Sequence, residues 1–425
     1  MRTAVPGSPT FDWTRVAAVA MVALAVWTAE IAVVVGLRYE WDLRAFALFG
    51  QRFSAAQLVP GVPIAGPRGY DGQFYAALAT DPLLRHEETR QALDNPGYRS
   101  GRILLPAIAW TVTGGSRDLA PVAYVWLCWA GALAGPFVAM LWAGRLGGVS
   151  PWWGLALCLS PGISTSVLRA MPDGAAGALV VGGLWAWSSN RRAPAIGLLA
   201  LAVLCRETSW VFIVGAALAE LTRGRWRAAA LLSALPVVPW IVWRQWLVAH
   251  AVGGRSGGGH NFATPFEGLW SWVEGWTGFA DWLRGPETLA MVGLVVLVAA
   301  TWAHFIERRR LTLAAGAFVA GVALAALLSD KVWVAIHAWA RILVVLPLLG
   351  LVVMADSGLR VRRVFAVAFI AFAMSGALLS RIEWQAATRM FDRGKAIERA
   401  VGFSDGVGSR PTDVRRPSRN GTQGP

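Results

Sequence analysis

The stretch Val16–Leu37, VAAVAMVALAVWTAEIAVVVGL, contains a single charged residue, Glu30. A helix needs about 20 apolar residues to cross a bilayer. The stretch is too long for the apolar region of a signal peptide and lacks a small-residue cleavage site, so it is predicted to be a retained span. It therefore predicts a helical fold that begins inside a membrane.

Similar apolar blocks recur along all 425 residues, of which 56% are hydrophobic and only 15% charged. A soluble domain has about 25% charged residues, so the composition excludes a disordered chain, a coiled coil and an ordinary cytosolic enzyme. We predict an all-α, polytopic membrane protein with about eleven transmembrane helices. These predicted spans are 16–37, 119–144, 151–167, 174–189, 195–205, 207–221, 228–247, 288–306, 311–329, 340–356 and 362–380.

The net charge of +14 comes from 39 basic and 25 acidic residues. Basic residues lie in short connectors on one side of the predicted spans, and this side is expected to be cytoplasmic together with the N-terminus. The charge is explained by membrane orientation, so nucleic acid is not an expected partner. These connectors contain Arg145, Arg191, Arg192, Arg223, Arg225, Arg227, Arg308, Arg309, Arg310, Arg360, Arg362 and Arg363.

The predicted membrane domain covers residues 1–380. It includes two long outer loops, at 38–118 and 248–287, and is followed by a C-terminal tail at 381–425. The last part of the tail, Pro411–Pro425, is rich in Arg, Pro, Ser and Gly and is predicted to be disordered.

The first outer loop contains the heptapeptide GYDGQFY at Gly69–Tyr75, followed by Asp81-Pro82. The pattern predicts a short amphipathic helix at the membrane surface that begins near Asp71 and ends at Pro82. Asp71 has two compatible interpretations. In one, its carboxylate caps the helix; in the other, it is a general base whose pKa is raised by partial desolvation.

Arg99 and Arg102 precede an apolar stretch at 103–112. That stretch is too short to span a membrane and contains Pro106, so it is predicted to be a second helix at the outer surface. The two arginines either extend to the membrane interface beside apolar surface or bind phosphate.

More ionisable residues fall near the outer ends of the predicted spans. Arg206 and Glu207 are adjacent, so each needs a partner elsewhere. Together these residues predict an outer site for an anionic, membrane-embedded substrate, and no comparable cluster is expected at the inner ends. The other members of this set are Arg169, Asp173, Lys331, His337 and Arg341.

The second outer loop contains Trp270, Trp272, Trp276 and Trp282, which form an interfacial belt or stack on a sugar or lipid. Its Gly-rich run, Gly253–Gly259, lacks the ending of a phosphate-binding P-loop and is predicted to be a hinge. The five histidines show no metal-ligand spacing, and no nucleophile elbow is present. No cofactor is predicted; a divalent metal is compatible with the sequence but is not indicated.

These residues resemble the GT-C superfamily of polyprenyl-phosphate-sugar-dependent glycosyltransferases. The chain is most similar to bacterial membrane proteins of cell-surface glycopolymer formation that carry a GYDGQFY motif. The resemblance covers most of the chain up to about residue 356. Arg206 stands where the third motif usually has lysine, and Asp71 is not part of an acidic pair. The matching segments are Gly69–Tyr75, 81–82, 102–106, 172–173, 206–208 and 340–343.

The resemblance implies an inverting transfer of sugar from a polyprenyl phosphate to a hydroxyl of a glycan, lipid or protein. The reaction would occur on the outer face of the bacterial inner membrane, with Asp71 taking the acceptor proton. The arginines implied to stabilise the leaving phosphate are Arg102, Arg169, Arg206 and Arg341. The other implied substrate-binding residues are Tyr70, Gln73, Tyr75, Asp173, Glu207 and His337.

Two alternatives remain. A flippase for a lipid-linked sugar would place its ionisable residues near the bilayer midplane and show two related halves, and the sequence shows neither. A non-catalytic subunit of a glycopolymer assembly system is disfavoured only by the large outer loop and its aspartate.

Overall fold

A computed structural model describes residues 12–53, 55–147, 149–250, 252, 259–275 and 285–401. Across these residues the chain is helical, without a β-strand; two isolated bridges, Phe49 with Ile64 and Phe262 with Leu328, are the extended pairings described. The first half contains α1 (Trp13–Arg38), α2 (Ala55–Leu58), α3 (Gly72–Leu78), α4 (Glu87–Gln91), α5 (Pro96–Arg99), α6 (Leu104–Thr113), α7 (Leu119–Leu146), α8 (Trp153–Cys158), α9 (Pro161–Leu168), α10 (Asp173–Ser188) and α11 (Arg192–Cys205). The second half contains α12 (Ser209–Leu221), α13 (Trp226–Ala234), α14 (Val238–Ala249), α15 (Glu267–Glu274), α16 (Pro286–Arg308), α17 (Leu313–Ala326), α18 (Asp330–Trp333), α19 (Ile336–Ile342), α20 (Val345–Ala355) and α21 (Leu359–Val401).

Five helical segments are long and apolar enough to cross a membrane, and α19 with α20 forms a sixth if this pair, bent by 49°, counts as one span. The protein is therefore a multi-pass membrane protein. The five segments are Trp13–Gly36, Leu119–Leu146, Trp226–Ala249, Pro286–Arg308 and Leu359–Arg381.

The predicted count of eleven spans is not confirmed. The segment 151–167 is divided at Ser160, whose backbone is extended, and Pro161 starts a new helix there. Several other predicted spans form helices of only 13 to 16 residues. At 1.5 Å per residue a helix of this length spans about 20–24 Å, less than the ~30 Å hydrocarbon core.

Close helix packing depends on small residues. A Cβ on Gly215 of α12 would lie 2.4 Å from the carbonyl oxygen of Gly316 in α17. A Cβ on Gly131 of α7 would lie 2.3 Å from the Cβ of Ala175 in α10. Small residues at such crossings let helix backbones approach closely, as is common in membrane bundles.

The segment between α1 and α7 folds into the short helices α2–α6 at one end of the bundle. The predicted helix after Asp71 is present as α3, but all seven of its residues are buried, so its expected position on a membrane surface is wrong. Phe74 and Leu78 belong to a small core that also includes Leu247 of α14. The apolar side of α3 thus packs against protein. The second predicted surface helix is present as α6, and Trp110 and Val112 on it are exposed.

The last helix, α21, continues to Val401, well past the predicted start of the tail at residue 381. The predicted disordered segment Pro411–Pro425 lies outside the described residues.

Candidate active site

Two glycines near Asp71 set the backbone at the start of α3. Gly69 has a φ of +63°, a left-handed conformation that favours glycine. A Cβ on Gly72 would lie 2.5 Å from the carbonyl oxygen of Arg169. Asp71 occupies the N-cap position, but its side chain accepts no capping hydrogen bond, so the capping interpretation is wrong. The carboxylate is left to contact side chains.

Two guanidiniums hold the Asp71 carboxylate, one at each oxygen. Nη2 of Arg99 donates to Oδ1 at 2.9 Å, and Nη2 of Arg341 donates to Oδ2 at 2.8 Å. Burial raises the pKa of Asp71, but the two cations outweigh burial and hold this pKa well below its usual range. The expected raised pKa is therefore wrong, because the predicted desolvation is accompanied by two positive charges.

Arg99 is oriented by several partners at once. Its Nε and Nη2 donate to the two carboxylate oxygens of Asp94 at 2.8 and 2.7 Å. Its guanidinium lies 4.6 Å from the ring centre of Phe74. Arg99 is buried, so it does not extend to the membrane interface, and two carboxylates already neutralise it. Its main effect is to fix Asp71.

Arg102 and Glu207 form a second ion pair. Nε and Nη2 of Arg102 donate to the Glu207 carboxylate at 2.9 and 2.7 Å, and Nη1 donates to the Tyr75 hydroxyl at 2.7 Å. Arg102 is 2% exposed, so the predicted extension to the interface is wrong for it too. The pair joins the α5–α6 segment to the connector before α12.

Arg206 also finds its partner on another element, as predicted for adjacent ionisable residues. Its Nη1 donates to Oδ1 of Asp173, the first residue of α10, while its Nε donates to the Thr208 hydroxyl at 3.0 Å. Oδ2 of Asp173 is buried and has no hydrogen-bond partner among the described residues. The adjacent residues Arg206 and Glu207 thus pair with different elements, Arg206 with Asp173 of α10 and Glu207 with Arg102.

Two guanidiniums and an imidazole surround the ring of Tyr70; burial and the two arginines lower the pKa of His337 to about 3, so this imidazole is neutral. The guanidinium of Arg169 lies 4.2 Å from the ring centre, that of Arg341 lies 5.5 Å away, and the His337 ring lies 5.6 Å away. Arg341 is 8% exposed. Its Nε and Nη1 are buried and have no hydrogen-bond partner among the described residues. Arg341 therefore presents unused donors beside Asp71.

Two residues of the heptapeptide have roles different from the predicted substrate contact. The Gln73 amide accepts from the Gly50 backbone at 2.9 Å and donates to the Arg68 carbonyl at 2.9 Å, so both its ends are occupied by backbone. The Tyr75 hydroxyl is fully buried between Arg102 and Arg99. Both residues position the site.

Several residues outside the predicted set also support the site. Asp94 holds the Arg99 guanidinium, and its spacing of five before Arg99 is the sequence signal that indicates this pair. Nε1 of Trp243 in α14 donates to the Ser100 carbonyl at 2.7 Å, and Nδ2 of Asn261 lies 3.4 Å from the Tyr98 hydroxyl. These contacts bring α14 and the second loop region against the α5 segment.

In that second region, Trp270 and Trp272 lie on α15. The remaining predicted tryptophans, Trp276 and Trp282, lie outside the described residues, and so does the predicted hinge Gly253–Gly259 except for its last residue. Lys331, predicted near the site, lies on α18 and is exposed.

An apolar groove of about 870 Å³ begins next to the site. Glu207 and Thr208 line one end, and Leu311 lines the other, so the groove follows the lengths of α12 and α17. Trp210, Trp240 and Phe262 contribute aromatic walls. Apart from Glu207 and Thr208 at one end, the residues that line the groove are apolar.

Within the described residues, no group of three or more His, Cys, Asp or Glu side chains is placed to hold a metal ion. Comparison of the chain with protein-family models, with curated proteins and with solved structures gave no match.

Proposed function

We propose that this protein is a membrane glycosyltransferase of the GT-C type that uses a polyprenyl-phosphate sugar as donor. The observation that supports this proposal most strongly is the arrangement of Asp71 and Arg341. A carboxylate able to take a proton lies on a buried guanidinium that still has two unused donor nitrogens. Both groups would be used by an anion that binds beside a reacting hydroxyl.

The donor phosphate would bind Arg341, with Arg169 next to it around Tyr70. Buried guanidiniums form strong charge-assisted hydrogen bonds with phosphate. The prenyl chain would lie in the groove between α12 and α17, which starts at Glu207 and Thr208. The groove's apolar lining suits a chain that stays in the membrane.

In the proposed reaction, the acceptor oxygen attacks the anomeric carbon of the sugar from the face opposite the phosphate. A carbon–oxygen bond forms to the acceptor while the bond to the phosphate oxygen breaks. The bonding electrons remain on the lipid phosphate, which is stabilised by Arg341. The acceptor proton passes to Asp71, and the configuration at the anomeric carbon inverts.

The low pKa of Asp71 in the free protein makes it a weak base. Donor binding would make Asp71 a stronger base. A phosphate on Arg341 places a second negative charge near Asp71 and competes for the same guanidinium. Both effects raise the pKa of Asp71, so the base becomes stronger when the donor is in place.

In the proposed placement, the N-terminus and the Arg-rich connectors are cytoplasmic and the Asp71 end of the bundle is extracytoplasmic. The shorter apolar helices α11, α12 and α17 then lie within the bacterial inner membrane, between the longer spans. The acceptor would be a hydroxyl group of the cell envelope.

The experiment is a transfer assay with purified protein in nanodiscs, radiolabelled polyprenyl-phosphate sugars and a membrane extract as acceptor. Wild type should transfer label and Asp71→Asn should not. Asp81→Asn is the matched control, because Asp81 is a buried carboxylate of the same segment that contacts only His86 in the described structure. Label that instead crosses a proteoliposome bilayer would overturn the proposal in favour of a flippase.

A further inference from the structure

A second cluster of charged residues lies at the end of the bundle opposite Asp71. It surrounds a cavity of about 600 Å³. Its walls come from the last residues of α7, α10, α12 and α20 and the first residues of α11 and α17. Since α10 begins at Asp173 and α12 begins just after Glu207, the cavity is about one helix length, ~20–24 Å, from the first site. The expectation that ionisable residues cluster only at the outer end is therefore wrong.

The cavity has an excess of positive charge. Four arginines line it, Arg192, Arg223, Arg225 and Arg310, against two carboxylates, Glu220 and Asp356. Glu220 is 2% exposed and lies 3.6 Å from Arg223 and 3.5 Å from Arg225. Asp356 lies 3.7 Å from Arg310. Two positive charges are thus left over within the cavity.

Arg192 carries part of this excess. Its guanidinium stacks 3.9 Å from the ring centre of Trp187. Its Nη1 is buried and has no hydrogen-bond partner among the described residues. Arginines that only orient a span extend into water and need no buried, unpartnered donor. A buried donor without a partner is costly unless a ligand satisfies it.

We infer that this cavity binds a phosphate-bearing ligand, separately from the Asp71 site and independently of the proposed transfer reaction. Guanidiniums in a fork geometry match phosphate oxygens. Asn190, Ser188 and Thr312 add polar groups, while Trp142 and Leu146 give the cavity an apolar wall. The chemistry fits the headgroup of an anionic phospholipid or a soluble phosphate compound, and both offer the same anion.

The test uses the full-length protein purified in detergent. Dioleoyl phosphatidylglycerol, dioleoyl phosphatidylcholine or pyrophosphate is added, and the thermal stability of the protein is measured with each. Native mass spectrometry identifies the lipids that the protein retains. The variants are Arg192→Gln and Arg225→Gln. The Arg225 side chain is 60% exposed, so its replacement should not impair folding. The matched control is Arg145→Gln. The Arg145 guanidinium lies 4.8 Å from the ring centre of Trp185, which is on α10 like Trp187, but Arg145 lines a different groove.

A lipid headgroup site is supported if phosphatidylglycerol stabilises the protein more than phosphatidylcholine does. Each cavity variant should then lower the affinity for phosphatidylglycerol roughly tenfold, and Arg145→Gln should leave this affinity unchanged. Stabilisation by pyrophosphate with the same variant pattern supports a site for a soluble phosphate compound. If neither anion stabilises the protein, or if Arg145→Gln weakens binding as much as the cavity variants, the inference is wrong.

Discussion

Nη2 of Arg341 lies 2.8 Å from Oδ2 of Asp71, although 270 positions separate the two residues in the chain. The contact joins the first loop to the bent pair α19–α20. It places the proposed base directly on the proposed phosphate-binding cation. The two roles are therefore coupled, and a change at either residue should alter both donor binding and turnover.

Asp71→Asn should separate these two effects. Removing the carboxylate abolishes the base, so turnover should fall at least about 100-fold. It also frees Arg341, so the donor should bind more tightly. A lower KM for donor together with a lower kcat would be expected from steady-state transfer assays. A merely structural role for Asp71 predicts the opposite sign for KM, and Asp81→Asn measures any general effect of losing a buried carboxylate.

Arg341→Gln should weaken donor binding by roughly 10–100-fold. The substitution removes a buried cation whose Nε and Nη1 have no hydrogen-bond partner among the described residues. Binding of a non-transferable polyprenyl-phosphate analogue is the direct measurement. Arg52→Gln is the control, since Arg52 is an exposed arginine of the same end of the molecule. Unchanged donor binding in Arg341→Gln would remove the proposed phosphate site.

The pH profile of the free enzyme tests the state of Asp71. Its folded pKa is depressed, so the carboxylate stays charged throughout the ordinary working range. The stability that comes from this charge is fully present above the unfolded value of about 3.9 and is lost as the pH falls through the lower folded value. We expect no acid inflection from Asp71 in kcat/KM above about pH 4. An inflection at pH 5–6 that moves to higher pH in Arg341→Gln, where a cation that lowers the pKa of Asp71 has been removed, would contradict this expectation.

The ion pair of Arg102 and Glu207 should contribute mainly to stability. Replacing one partner by Gln leaves the other charge buried and should cost about 3–5 kcal/mol. The double variant should be less destabilised than the sum of the single variants. Thermal unfolding of all four proteins in one detergent gives this coupling. Additive effects would show that the two side chains do not interact in the folded protein.

The groove along α12 and α17 should decide which donor chains are used. Val319→Trp places bulk on a groove wall that is 54% exposed. It should raise KM for long polyprenyl donors and leave short-chain donors nearly unaffected. Leu201→Trp is the matched control, because Leu201 is 39% exposed and lines a separate apolar groove between α6, α7, α10 and α11. If both substitutions raise KM for long donors equally, the prenyl chain lies elsewhere. The same conclusion follows if Val319→Trp raises KM equally for long and short donors.

The sequence by itself determined the helical membrane class, since blocks such as Val16–Leu37 can hide their apolar surface only in lipid or a protein interior. It also determined that a helix follows Asp71, through the spacing of Phe74 and Leu78, although this helix ends at Leu78 and not at the predicted Pro82. The expectation that Arg206 and Glu207 have separate partners came from their adjacency in the chain, although both residues lie in the connector between α11 and α12 and not on a helix. Each of these properties depends on neighbours within a few residues.

Only the tertiary structure decided the charge state of Asp71, because its pKa depends on Arg99 and Arg341, which reach it from other segments. The burial of α3 likewise depends on Leu247, far along the chain. The charged cavity at the opposite end forms because the connectors after α10, α12 and α16 meet there. Electrostatic interactions act through space, and a sequence orders these groups without stating their distances.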